Sequence, residues 1–228
     1  MKKNPRIEFN LVKLQHNITT IYNMCVAKGI DIVGVTKGFT AIPEIAQVML
    51  DGGIKTLGDS RLENIQVMRS AGIKAEMMLT RIPMLHEVNL VLKLVNCSLN
   101  SEIVIIKELS DMAIKNDKIH DIILMVDLGD LREGILPEDT LDTVKNIITM
   151  KGVRLKGLGA NFNCLSGVEP TVENLMELVT LSVTIEKEMG INLEILSGGS
   201  TSSLALVVKR TIPERVNQLR IGEGILLG

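Results

Sequence analysis

The sequence predicts an α/β fold in which eight parallel strands, alternating with helices, close into a (β/α)8 TIM barrel. Three observations predict it. Short runs of Ile, Val, Leu and Met alternate strictly with amphipathic helical stretches, the pattern of parallel strands joined by crossover helices. About eight such units fit within the 228 residues, close to the ~250 typical of the closed barrel. No low-complexity segment or linker interrupts them, so residues 1–228 read as one domain. An open doubly wound sheet is the competing architecture.

The elements follow in order. Asn10 is a candidate N-cap for a first helix with Leu11, Leu14, Ile18, Ile21 and Cys25 on one face, stopped by Gly29. "IDIVGVTKGF" is a buried strand by its Ile/Val content, and Pro43 suits the first turn of the next helix, which ends at Gly52 and Gly53. "IKTLGDS" is strand two, "RLENIQVMRSAG" a helix closed by Gly72, and "AEMMLTR" strand three. "MLHEVNLVLKLV" is a helix with Leu85, Val88, Val91, Leu92 and Val95 inward; "NCSLN" is strand four, and Ser101 is the expected cap of a helix reaching Lys115. "HDIILMVDLG" is strand five, a helix follows Pro137, and "VRLKGLGANF" is strand six. Thr171 caps a long helix with Leu175, Leu178, Val179, Ser182, Ile185 and Met189 on one face and Gly190 at its end. "INLEILS" is strand seven, a short helix begins near Ser202, and "NQLRIGEGILLG" contains strand eight. The first helix precedes the first strand, so it is placed to close the outer ring between strands eight and one.

Composition narrows the partners. The chain is 46% hydrophobic and 23% charged with net charge −2, which gives no reason to expect nucleic acid or an anionic membrane. The apolar runs are too short for a bilayer, and "MKKNPRIEFN" has no apolar region behind its basic start. Cys25, Cys97 and Cys164 are odd in number and far apart, which points to a reducing, cytoplasmic setting. With no Trp and one Tyr (Tyr22), the core must be aliphatic and methionine-rich.

A barrel carries its active site at the C-terminal ends of its strands. Those ends hold Lys37, Asp59 and Ser60, Arg81, Asn100 and Ser101, the loop 127–132, Asn161, Asn163 and Cys164, residues 197–203, and residues 220–223. Strands end where polarity begins, and that alone accounts for Asp59, Ser60 and Asn100. "SGGSTSS" (197–203) is more specific: two glycines allow close backbone approach, hydroxyls surround them, and a helix opens after them. An ordinary Gly/Ser turn and a phosphate loop both fit this stretch. "RIGEG" (220–224) adds two glycines on the neighbouring strand, and the pair favours a phosphate cradle. No P-loop or G-x-G-x-x-G follows strand one, which argues against a nucleoside triphosphate or dinucleotide. His16, His86 and His120 are scattered and form no metal-ligand spacing. A lysine on strand one facing a phosphate site on strands seven and eight suits pyridoxal 5′-phosphate (PLP), whose aldehyde condenses with lysine, or a phosphorylated sugar handled by an aldolase-type lysine.

Five motifs in the right order decide between these. "RIEFNLVKLQHN", "VGVTKG", "VDLGDLREG", "LSGGSTSSL" and "LRIGEGILLG" together resemble the fold-type III PLP enzymes of the alanine racemase N-terminal domain superfamily, in its alanine/ornithine racemase branch. The resemblance covers the whole chain. It implies that Lys37 is the Schiff-base residue and one of two acid/base groups at the substrate Cα. It implies that Arg132 lies near the cofactor phenolate oxygen or the substrate carboxylate. It implies that Ser197, Gly199, Ser200 and Thr201 are cofactor-binding, with Ser200 and Thr201 at the phosphate together with the backbone around Gly222 and Glu223. Arg220 faces the pyridine nitrogen, and Asn161 occupies the place beside the ring where alanine racemases carry a histidine.

The chain departs from that pattern in two further places. Ala41 stands where alanine racemase has a phosphate-binding tyrosine four residues past the lysine. The C-terminal β-domain of the two-domain racemases, which supplies the second acid/base as a tyrosine from the partner subunit, is absent from residues 1–228, which leaves Cys164 as the candidate. A homodimer is therefore less securely implied than in the two-domain enzymes. The expected activity is racemisation of a small amino acid, ornithine or another basic one ahead of alanine, with Glu223 or Asp130 as candidate partners for a distal ammonium. The alternatives are a PLP-homeostasis protein without racemase activity and a phosphate-binding, lyase-type barrel that uses Lys37 without PLP.

Overall fold

The computed structural model describes residues 6–163 and 167–228. Among them, eight parallel strands close in sequence order: β1 (Asp31–Val35), β2 (Thr56–Asp59), β3 (Glu76–Leu79), β4 (Cys97–Asn100), β5 (His120–Val126), β6 (Val153–Ala160), β7 (Ile195–Gly198) and β8 (Gln218–Ile221). β1 pairs with both β2 and β8, so the sheet has no edge. The open doubly wound alternative is thereby excluded.

The helices are α1 (Leu11–Val26), α2 (Pro43–Asp51), α3 (Leu62–Ser70), α4 (Val88–Leu94), α5 (Ile103–Lys115), α6 (Pro137–Ile147), α7 (Val172–Met189), α8 (Leu204–Val208) and α9 (Glu223–Leu227). The expected signals set several of their ends. Asn10 accepts the Lys13 N–H at 3.1 Å, Thr171 accepts the Asn174 N–H at 3.2 Å, and Gly190 ends α7 with φ 63°. Pro43 and Pro137 open α2 and α6, where a missing N–H costs nothing. α1 packs against α2 on one side and α8 and α9 on the other, and Asn17 Nδ2 donates to Ile225 O at 3.1 Å. It completes the outer ring as its place in the sequence required.

Strand side chains alternate with period two. Val33, Met78, Cys97, Leu99, Ile123 and Met125 fill the barrel interior. Ile32, Leu57, Met77, Leu79, Ile122, Leu124, Leu158, Leu196 and Leu219 face the helices. With aromatics scarce, flexible methionines fill the gaps: Met49, Met68, Met77 and Met125 are wholly buried.

Four details differ from the sequence expectation. Leu11 is 42% exposed, because burial on α1 begins one turn later at Leu14. Leu85 is 54% exposed: it lies in a 3₁₀ turn, whose three-residue period takes it off the stripe that α4 buries. Ser101 does not cap α5, which starts at Ile103 after an extended Glu102 that makes no side-chain cap. The residues after β8, not foreseen as helical, form α9.

Candidate active site

Lys37 follows the last residues of β1 and opens a 3₁₀ turn, Lys37–Phe39. The turn is held from the neighbouring strand. Thr36 donates its hydroxyl to Asp59 Oδ2 at 2.6 Å, and Asp59 Oδ1 accepts the Arg61 N–H at 2.8 Å and Asn64 Nδ2 at 3.0 Å. Asp59, set aside as an ordinary strand-end residue, is thus a buried anchor for the residue preceding Lys37. The Lys37 side chain is exposed, and among the described residues its amine has no hydrogen-bond or ion-pair partner.

On the opposite side of the mouth, the "VDLGDLREG" sequence spells out a turn after β5. Asp127 Oδ1 accepts the N–H groups of Gly129 at 2.9 Å and Leu131 at 3.1 Å. Gly134 has φ 130°, and a Cβ there would stand 2.5 Å from Asp127 N, so only glycine fits. The turn carries Arg132, whose Nη2 donates to Glu133 Oε1 at 3.1 Å and whose Nε lies 3.9 Å from Asp130 Oδ2.

Arg220 is the buried cation of the site, 5% exposed. Its Nη1 donates to Ser197 Oγ, and its Nη2 to Ala160 O at 2.7 Å and Asn161 Oδ1 at 3.0 Å. These bonds satisfy a charge that burial would otherwise penalise. At the β7 end, Gly199 has φ 99° and accepts the Arg220 N–H at 3.0 Å, while a Cβ on it would meet Ser203 Oγ at 2.7 Å. Thr201 Oγ1 accepts the Gly224 N–H at 3.2 Å and ties this loop to the start of α9.

A cavity of about 310 Å³ joins these parts, near the lower end of small-ligand pockets, ~300–1,000 Å³. It brings together Lys37, Arg132, Asn161, Ser200, Thr201, Arg220, Gly222 and Glu223, with Val35, Phe162, Leu226 and Leu227 as apolar wall. Ser197 and Gly199 lie behind it, where they hold Arg220. Cys164 falls outside the described residues. Arg81 turns away: its fork engages both Glu87 oxygens at 2.7 Å, which holds the Glu87 carboxyl below its ordinary range, and its Nε engages Ser60 O.

Two participants had no sequence signal beyond a polar residue past a strand. Thr80, after β3, lines the cavity with a buried hydroxyl that has no partner among the described residues. Glu133 accepts from both Arg132 and Asn161 Nδ2, the latter at 2.7 Å. The lining carries three cations (Lys37, Arg132, Arg220) against one carboxylate (Glu223), so it suits an anionic ligand. Among the described residues no group of three or more His, Cys, Asp or Glu could hold a metal ion.

The alanine racemase N-terminal domain family model matches residues 9–227. The chain belongs to that family. Two curated members of related sequence are an ornithine racemase from Acetoanaerobium sticklandii and a lysine racemase from Thermotoga maritima. The first is 37% identical over 225 residues, 98% of this chain and 63% of that protein. The second is 38% identical over 224 residues, 98% of this chain and 62% of that protein. This chain therefore spans a little under two thirds of the length of either. An alanine racemase structure from Clostridium difficile 630 superposes on this barrel with a TM-score of 0.80 at 18% identity, covering 95% of this chain and 57% of that one.

Proposed function

We propose that this chain is the PLP-binding barrel of an amino-acid racemase whose substrate is a basic amino acid, ornithine or lysine ahead of alanine. The observation that carries the reading is the cavity: it gathers a primary amine with no partner among the described residues, two guanidinium groups and a hydroxyl- and glycine-lined wall from strands far apart in sequence. The family's ornithine and lysine racemases support the substrate class.

The lining fits PLP on the chemistry of its donors, with the unpartnered, buried Thr80 hydroxyl as further unused capacity. Ser200 and Thr201, with the backbone around Gly222 and Glu223, would hold the phosphate, and Lys37 would hold the aldehyde carbon. PLP, when bound, supplies a carbonyl that condenses with a primary amine and a ring that draws off electrons from the bonds at Cα.

The remaining work belongs to the chain. With the cofactor bound, the Lys37 amine would be the group that takes or returns the Cα proton on its own face. Arg132 pairs with the substrate carboxylate, for which a planar, permanently charged fork is suited. Arg220, pinned by Ser197, Ala160 and Asn161, gives up no proton at neutral pH. As a fixed cation it would oppose positive charge on a ring nitrogen held beside it, which would favour removal and return of one proton over deeper chemistry. The second proton carrier we assign to Cys164. We place the protein in the cytoplasm, on its scattered cysteines, and allow a homodimer; among the described residues no helix is long and apolar enough to cross a membrane.

One observation favours a second reading, a PLP carrier without racemase activity: no Tyr, His or Cys accompanies Lys37 among the described lining residues. The experiment is to soak the purified protein with PLP, reduce with borohydride and map the labelled peptide. Lys37 should carry the label and Lys37→Ala should not colour; a wild type that stays colourless defeats both readings. A chiral assay with L-ornithine, L-lysine and L-alanine then separates them, since retention of configuration with all three leaves only the carrier.

A further inference from the structure

Glu133 belongs to neither the cavity wall nor the motif residues with an expected role, yet three residues of the wall are linked through it. Its Oε1 accepts Arg132 Nη2 at 3.1 Å and Asn161 Nδ2 at 2.7 Å. Asn161 in turn presents Oδ1 to Arg220 Nη2 at 3.0 Å. The hydrogen bonds therefore run from the turn after β5, across the end of β6, to a buried guanidinium on β8. The Glu133 side chain is 16% exposed, against 46% for Arg132.

An ion pair between neighbouring surface residues holds little. This carboxylate differs because one oxygen serves two donors from two separate loops, and the second donor is an amide whose orientation has two options. An amide that faces a carboxylate on one side and a guanidinium on the other must turn N–H to the first and C=O to the second. Glu133 and Arg220 thus fix the orientation of Asn161 between them. The same oxygen gives one branch of the long Arg132 side chain a fixed direction.

We propose that Glu133 is a positioning residue: its carboxylate sets the Arg132 guanidinium and the Asn161 amide in the orientation that receives a ligand carboxylate in the cavity. The proposal rests on the PLP reading given above, because the ligand carboxylate is that of an amino acid held beside the cofactor.

The test uses PLP-loaded protein and propionate, a carboxylate without an amine, titrated against the visible band of the bound cofactor. This readout needs no turnover. Glu133→Ala should bind propionate about tenfold more weakly, the scale expected when one charge-assisted hydrogen bond goes out of alignment. Glu133→Gln, which keeps an acceptor but not the charge, should fall between Ala and wild type, and Glu133→Asp should recover part of the affinity. Borohydride labelling of Lys37 and the melting temperature should stay at wild-type values in all three. Wild-type propionate affinity in Glu133→Ala overturns the proposal. So does a loss of Lys37 labelling in parallel with a lowered melting temperature, which would make Glu133 a structural residue only. If the wild type itself takes up no PLP, the parent reading fails and this one with it, and that outcome is visible before any variant is made.

Discussion

The two ends of the barrel invite comparison. The floor, where β3, β4, β5 and β6 begin, carries cavities of about 530 and 580 Å³, larger than the 310 Å³ at the mouth. It is also rich in cations: Lys55, Arg69, Lys74, Lys93, Lys118 and Arg154 line it. Yet its strongest donors are committed to the fold. Arg69 donates to Leu94 O, Ala75 O and Asn96 Oδ1; Arg154 grips both Asp121 oxygens; Lys118 donates to Leu92 O. At the mouth, the Lys37 amine and the Thr80 hydroxyl have no partner among the described residues. Neither volume nor charge separates a binding site from a structural joint here, and the floor has amines of its own without partners among the described residues, in Lys55, Lys74 and Lys93. What sets the mouth apart is a buried hydroxyl, that of Thr80, left open on the wall of the cavity.

The largest test of that contrast is at the mouth. On the racemase reading proposed above, Arg132→Met should lower kcat/KM for the amino acid by about 100-fold or more and leave the urea midpoint close to wild type, because its side chain is half exposed. A midpoint that drops with activity would make the mouth as structural as the floor.

The next test is pH. His120, at the start of β5, is buried with Nε2 2.8 Å from Ser98 Oγ, and burial pushes its pKa down to about 4. The unfolded chain binds a proton there below about 6.5 and the folded chain does not. Stability from this residue is therefore complete above about 6.5 and is lost as pH falls towards 4, by roughly 3 kcal/mol. Urea melts from pH 7 to pH 4 should show the loss, and His120→Asn should flatten that slope. Acid sensitivity unchanged in the variant would assign it to other groups.

Arg69→Met should cost about 2 kcal/mol by stripping carbonyl partners from the loops around β3 and β4, with Lys37 labelling by PLP unchanged. The smallest effect is a count of thiols. Burial pushes Cys25 up to about 11 and Cys97 up to about 12, so neither should react with an aromatic disulfide at pH 8 until urea is added. Reaction of either in the native protein would mean that the helix layer or the floor opens readily.

The barrel was legible because its signals are local: β-branched runs, Asn10 and Thr171 as caps, Pro43 and Pro137 as first-turn residues, Gly190 as a stop. The site was legible where backbone chemistry is written into residue type, as in the glycines and hydroxyls of 197–203 and the Asp127–Gly134 turn. What a side chain is bonded to was not legible. Arg81 and Arg132 both follow a strand end, and apart from the motif that carries the family resemblance nothing local separates them; the fold shows Arg81 closed on Glu87 and Arg132 at the cavity. Ser197 and Ser200 belong to one stretch of sequence, but the first ends up wholly buried in β7, bonded to Arg220, and the second faces the cavity. Glu133 has the sequence setting of a solvated loop charge, since its two donors come from its neighbour and from a residue on another strand end.

The seam between β1 and β8 has a kinetic consequence. Asp31 pairs with Gln218 and Gly34 with Ile221, so this ladder joins segments from opposite ends of the described chain. Closing so long a loop delays its pairing relative to the local βα units. Lys37 lies just past one side of that seam, and Arg220 and Gly222 lie on the other. During refolding, helix content should therefore appear before any competence to capture a ligand. The pocket is complete only once the barrel shuts, so a half-closed intermediate should have no site with which to hold a ligand.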